Sequence, residues 1–448
     1  MTARFASTAF GIKTRIAQRG IRAVDRTLRA NELVDPEVAA ERQRATTMEL
    51  ARYAFDTTPF YRDRYREAGI NRRDLYDPEV FADLPVVQKS DLRERRDDFL
   101  SEGVPVSRRL TSATGGSTGV PVSLFHDKLS PVAAMWWRVY RWWGIEPWED
   151  MAFIHRERRT PATQRREALE WWPSRHVVLD SRGMSPSSME QFHETWTEVA
   201  PRLLNGYIGG VHEFASYVFE NGLSIHAPHA IGVTSAPVTP SQRAFIESVL
   251  GAPVYDQYRT AEVPWVAAQC ADKSALHVLS DLRTLEITDD DWKPVPAGVH
   301  GNVVVTDLCN RVFPLIRYEI GDLTHIIDEP CPCGRSLTRI APISGRISDV
   351  LRLPNGMSVA GGLNALFNAR PDAVRQFQIH QHADYSIALR YVPSDSPGAE
   401  GAVADAAERL AVIVEHAVPV VLEPVEFIAH DRGKARTVVC DVASPVAS

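Results

Sequence analysis

Residues 111–120 read TSATGGSTGV, with three glycines, five hydroxyl side chains and almost nothing to pack. Glycines let backbone N–H groups turn toward one anion, and Ser117 and Thr118 add hydroxyl donors, so a phosphate chain suits such a concavity. An ordinary turn fits the same letters. Val120, not lysine, follows Gly119, which excludes a P-loop of the GxxxxGK type. The apolar PVSLF at 121–125 predicts an immediate return to a buried strand, pinning the loop to a sheet.

Cys270 and His277 in CADKSALH, with Cys331 and Cys333 in CPCG, supply three thiolates and one imidazole. That is the donor set and number of a closed tetrahedral zinc site, with no position left for a reactive water. The role expected is structural, tying the 270s to the turn at 331–334. Unpaired buried cysteines or a redox pair are the alternatives, since a single residue between Cys331 and Cys333 is tighter than the common zinc knuckle. Cys309 and Cys440 lack comparable partners and are expected to be small core residues.

Further polar residues lie beside strand-like apolar runs in YDQYRTAEV (255–263), VVVTDL (303–308), FPLIRYEIGDL (313–323) and DRGKARTVV (431–439). Tyr258 offers a flat face for an adenine, Glu262 a carboxylate for Mg2+ on a phosphate, and Asp322 two acceptors for ribose hydroxyls. Lys434, in a glycine-containing loop, can neutralise charge while a carboxylate attacks an α-phosphate. Each also reads as a surface turn or a core hydrogen bond. No Gly-x-Ser-x-Gly elbow is evident, and His126 has no locally identifiable triad.

The elements that must position these groups follow from periodicity. Residues 1–105 read mainly helical, broken at TTPF and DLPVV. AAMWWRVYRWWG (133–144) places Trp136, Tyr140 and Trp143 on one helical face, with Trp137 and Trp142 widening it; core packing or an aromatic substrate pocket would use that surface. Strands near 151–154, 176–179 and 230–233 alternate with helices near 188–204, 208–219 and 240–250, which favours α/β layers. Beyond 345 an extended region at 374–392, a helix at 399–416, then VEFIAH and RTVVCDV predict a small α+β module. The boundary is placed near 343–350.

With 448 residues, 44% hydrophobic and 24% charged, the chain can build a large core, which argues against disorder. A net charge of −7 and interrupted arginine runs at 86–97 and 155–166 advertise no nucleic-acid surface. The basic N-terminus is not followed by a hydrophobic segment that could span a bilayer, so no stable membrane insertion and a cytoplasmic location are expected.

In order, TGGSTGVP (114–121), YRTAE (258–262), PLIRYEIGDL (314–323), CPCGR (331–335), GRISD (345–349) and GKARTVV (433–439) resemble the adenylate-forming ligase superfamily, in its phenylacetate-CoA ligase-like and capsular-polysaccharide-associated branch. The resemblance implies a large multi-sheet α/β adenylation domain over 1–345 and a small mobile α+β domain over 346–448 that carries the adenylation lysine and rotates between half-reactions. It implies a phosphate loop of Thr114, Gly115, Gly116, Ser117, Thr118 and Gly119, Tyr258 facing adenine, Asp322 on ribose, and Arg259 and Arg346 near the nucleotide. Thr118, Glu262 and Lys434 would act on the reacting phosphate, and Cys270, His277, Cys331 and Cys333 look like a structural metal set.

The expected reaction is ATP-dependent activation of a small, mildly favoured aromatic acid, with Mg2+ and structural Zn2+, and transfer to a thiol or amine acceptor, CoA first among them. An amide- or ester-forming enzyme without CoA and an inactive nucleotide-binding scaffold stay open, as does a homodimer. Four departures stand out: Val120 in place of lysine, Arg259 in place of glycine, TSAPVTP (234–240) without the glutamate of a GAE-like pattern, and Ser348 at the hinge.

Overall fold

The computed structural model describes residues 3–17, 19–113, 123–155, 160–181, 184–343, 345–346, 350–355, 358–360, 363, 366–367, 370, 373–428 and 437–442. The chain divides into two compact units. The larger comprises 1–237, 246–320 and 324–342, and the smaller 238–245, 321–323 and 343–448.

In the larger unit the fully buried runs AIGVT and VYDQY form strands Ala230–Thr234 and Val254–Tyr258. Strands apolar on both faces belong inside a parallel sheet covered by helices. They join Leu203–Tyr207, Met151–His155 and His176–Asp180 as the parallel half of a nine-stranded sheet, counted among the described residues. Helices Pro186–Val199 and Ile208–Glu220 supply crossovers. The antiparallel half runs through Ala267–Gln269, Leu276–Val278, Arg339–Ile340 and Ile326–Ile327.

The alternation expected from sequence is present, with three corrections. The helix expected over 188–204 stops at Val199, where Ala200 takes φ 50°, and the chain turns into strand Leu203–Tyr207. Thr111–Ala113, read as loop, pair with Ser123–Phe125 in a hairpin. In the smaller unit the strand that follows the helix is Val420–Pro424, just before VEFIAH, while RTVVCDV supplies strand Val438–Cys440.

The tryptophan-rich helix, Val132–Trp142, is core: Met135, Trp136, Trp137, Val139, Tyr140 and Trp142 are all buried. Trp143 stacks on Tyr255 with ring centroids 5.1 Å apart and planes 6° from parallel, and its Nε1 donates to the Gln269 carbonyl at 2.7 Å. Beneath it a buried polar chain runs from Gln257 Nε2 to Asn205 Oδ1 (2.7 Å) and from Asn205 Nδ2 to the Tyr140 hydroxyl (2.7 Å). Gly232 makes room for this layer. A Cβ there would stand 2.4 Å from Gln257 Nε2 and 2.7 Å from the Trp143 ring. Gly232→Ala is therefore expected to cost about 1–3 kcal/mol by overpacking, read as a lower denaturation midpoint at unchanged slope.

The smaller unit holds a four-stranded sheet, ordered Val420–Pro424, Ile387–Pro393, Val374–Gln381, Val438–Cys440, with helix Ala399–Ile413 packed through Ala402, Val403, Ala406 and Leu410. Buried Gln381 joins this sheet to the ribbon Val350–Arg352/Ser358–Ala360: its Nε2 donates to the Arg352 carbonyl (2.7 Å) and its Oε1 accepts from the Arg352 amide (2.8 Å). Among the described residues no helix is long and apolar enough to cross a membrane.

Candidate active site and metal centre

Cys270 follows strand Ala267–Gln269, His277 lies in Leu276–Val278, and Cys331 and Cys333 flank Pro332 in a turn closed by Gly334 at φ 76°, whose amide donates to the Cys331 carbonyl. The structure brings all four ligand atoms within 4.8 Å of one another. Cys270 Sγ and Cys331 Sγ are 3.7 Å apart, and Cys333 Sγ lies 3.4 Å from His277 Nε2. A tetrahedron with Zn–S bonds of about 2.3 Å and a Zn–N bond of about 2.0–2.1 Å would separate these pairs by about 3.8 and 3.6 Å. The fit is close.

His277 Nδ1 faces the Leu337 carbonyl at 3.4 Å, so the proton resides there and Nε2 keeps its lone pair for a ligand. Burial holds this imidazole down at about 4, hence neutral, and pushes the Cys331 thiol up to about 12, a cost that a bound cation would offset. Trp142 packs edge-on against His277 with centroids 5.8 Å apart. Glu32 accepts from both Trp142 Nε1 and Arg335 Nε at 2.9 Å, joining the N-terminal helices to the cysteine turn. Half-buried His380, exposed His382 and half-buried Cys440 belong to the other unit and take no part in this set.

A second constellation gathers on the turn after Val254–Tyr258, at the carboxyl ends of the parallel strands, where ligands bind in open α/β sheets. The turn is held from several sides. Thr260 Oγ1 accepts from the Val263 amide (2.8 Å), and the Ala261 carbonyl meets His126 Nε2 (2.9 Å) and the Ser112 hydroxyl (3.3 Å). Arg283, ion-paired to Asp307 at 2.7 Å, donates to the Pro264 carbonyl at 2.6 Å. Glu262 is thereby fixed and 6% exposed, its Oε1 accepting from the Tyr318 hydroxyl at 3.3 Å and standing 3.6 Å from Lys89 Nζ. Burial and the Glu262 charge raise the Tyr318 phenol, which stays protonated and donating.

No family model matches the chain. It is 26% identical over 345 residues to the phenylacetate-coenzyme A ligase of Thermus thermophilus, spanning 74% of this chain and 75% of that one. It is 21% identical over 279 residues to Protein CapK of Staphylococcus aureus, spanning 60% and 59%. Among solved structures, a 2-hydroxyisobutyryl-CoA ligase in complex with 2-HIB-AMP shares the fold, with a TM-score of 0.75 over 89% of each chain at 23% identity. These likenesses bear out the resemblance to the adenylate-forming superfamily and its phenylacetate-CoA ligase-like branch.

Of the residues that the resemblance singles out, Tyr258, Arg259 and Glu262 share one turn of the larger unit. Asp322 is described with the smaller unit, 4% exposed and paired in register with the backbone of Arg346. Thr114–Gly119 and Lys434 lie outside the described residues, as does the Arg346 side chain. Arg317, inside the PLIRYEIGDL motif, is committed to the scaffold: it pairs with Glu286 (3.1 Å) and donates to the carbonyls of Ala82, Leu84 and Trp292. Sequence reasoning missed Lys89 and Tyr318 as the neighbours of Glu262. Only the fold brings them there, although the tyrosine sits in a motif already singled out.

Proposed function

We propose that this adenylate-forming enzyme activates a small carboxylic acid with ATP, giving acyl-adenylate and pyrophosphate, and then transfers the acyl group to coenzyme A. The observation that carries the reading is the fixed, buried Glu262 with Lys89 and Tyr318 at the carboxyl ends of the parallel strands. A single buried carboxylate suits Mg2+, which commonly takes one or two protein carboxylates beside substrate phosphates. When bound, the cation would neutralise charge on the phosphates.

Glu262 would hold that cation's position, and Lys89, 3.6 Å away, helps to orient Glu262. Tyr258 supplies a face for adenine, Asp322 binds ribose hydroxyls, and residues 114–119 donate to phosphate. Lys434 neutralises the charge that builds as the acid attacks, and the segment 346–349 is where the terminal domain turns once adenylate has formed. The Cys270, His277, Cys331 and Cys333 set holds a structural zinc. CoA as acceptor is supported by relatives named as CoA ligases.

Acid-dependent exchange of labelled pyrophosphate into ATP tests the first half-reaction, and product masses with CoA or amines test the second. Exchange without any acid requirement, or ATP bound with neither AMP nor pyrophosphate formed across a broad acid panel, would favour a binding protein and sink the proposal.

A further inference from the structure

Four buried or cleft arginines in the larger unit invite comparison. Arg138 pairs with Glu32 and Asp281, Arg283 with Asp307, and Arg317 with Glu286. Arg259 differs: among the described residues it makes no hydrogen bond or ion pair, and its guanidinium lies 4.3 Å over the Trp265 ring. Its side chain remains accessible, yet surrounding protein desolvates the guanidinium and lowers its pKa, with the Tyr140 and Tyr207 hydroxyls close enough to oppose the shift. Accessible and desolvated together describe the wall of a cleft rather than convex surface.

The neighbours locate that cleft. Tyr207 ends its parallel strand as Tyr258 ends another, and Tyr140, from the tryptophan-rich helix, packs edge-on to Trp265 at 5.7 Å. The cation thus faces an aromatic enclosure on the strand-end side of the sheet. An accessible guanidinium stacked on an aromatic face, with no anionic partner among the described residues, is open to a ligand's carboxylate, with which guanidinium makes strong directional pairs.

The reacting carboxylate is a poor candidate for that partner. It becomes neutral on adenylation, so a fixed cation paired to it would stabilise the ground state over the transition state and slow the step. A second charge on the acid, which the reaction leaves untouched, can keep its pair throughout.

We propose that Arg259 is a specificity-determining residue that binds a second carboxylate on the substrate, so that the acid activated is a small dicarboxylate rather than a plain aryl or alkyl monocarboxylate. This rests on the activation reading above and sharpens its substrate class.

The experiment measures pyrophosphate exchange by the full chain with matched acids: malonate, succinate and isophthalate against propionate, butyrate and benzoate. The native protein is expected to favour the dianion of each pair at least tenfold in kcat/KM. Arg259→Met should erase that preference by raising the KM of the dianions at least tenfold with the KM for ATP unchanged, and Arg259→Lys should retain part of it. Thermal midpoints of both variants separate this from misfolding, since an equally stable Met variant must still lose the preference. A preference for monocarboxylates that Arg259→Met leaves intact overturns the proposal while exchange itself upholds acid activation. A rise in the KM for ATP with the acid order kept overturns it in favour of a phosphate contact. If no acid supports exchange, the activation reading falls and this one with it.

Discussion

Cys331→Ser is expected to strip the metal from the protein and lower its stability by about 5 kcal/mol, roughly 10 °C in midpoint for a unit of this size. Serine keeps the shape and removes the thiolate, leaving Cys270, Cys333 and His277 as an incomplete set. The loss is smaller than the full free energy of a structural zinc because the turn keeps other supports, namely the Gly334 amide on the Cys331 carbonyl and the Arg335–Glu32 pair. Acid should act on the same site. The folded His277 pKa, about 4, lies below the ordinary value of 6.5, so the unfolded chain binds the proton first. The stability tied to neutral His277 is whole above about 6.5 and lost as pH falls toward 4, with metal release over the same interval. Elemental analysis and melting curves check both; a native protein without zinc, melting together with its serine variant, would end the assignment.

Glu262→Gln and Lys434→Ala should each slow pyrophosphate exchange roughly 100-fold, about 2.7 kcal/mol of barrier, for different reasons. Glutamine keeps the volume of Glu262 and can still accept from the Tyr318 hydroxyl, so the fold is retained while the charge that would hold Mg2+ is lost. Lys89 is freed but 27% exposed, so water can solvate it. A steeper dependence on Mg2+ concentration should accompany Glu262→Gln alone. On the role proposed for Lys434, Lys434→Ala should spare hydrolysis or thiolysis of supplied acyl-adenylate. Full exchange in either variant removes that residue from its role.

What could be read from the chain followed from how each signal is encoded. Strands buried on both faces, such as AIGVT, announce themselves by unbroken apolar runs, and the cysteine set by its chemistry. Thr111–Ala113 were missed because their small polar side chains carry no apolar alternation; only pairing with Ser123–Phe125 makes them a strand. Strand Leu203–Tyr207 was hidden because its leucines continue the preceding helical period, and only the left-handed turn at Ala200 separates the two. Val420–Pro424 is an edge strand with Val421 58% exposed, so its letters lack the contrast of burial. Arg317 shows the converse: a motif position suggestive of ligand contact is spent on carbonyls of the 82–84 segment and Trp292. Lys89 reaches Glu262 across 173 residues, a proximity no spacing rule encodes.

The bonds that hold the turn at 260–264 come from Thr260, Ser112, His126 and Arg283, and none of them involves the side chain at 259. The backbone of the turn is thus held independently of the side chain at 259. Position 259 is a socket into which evolution, or a saturation library, can plug different chemistries while Glu262, three residues on, keeps its address.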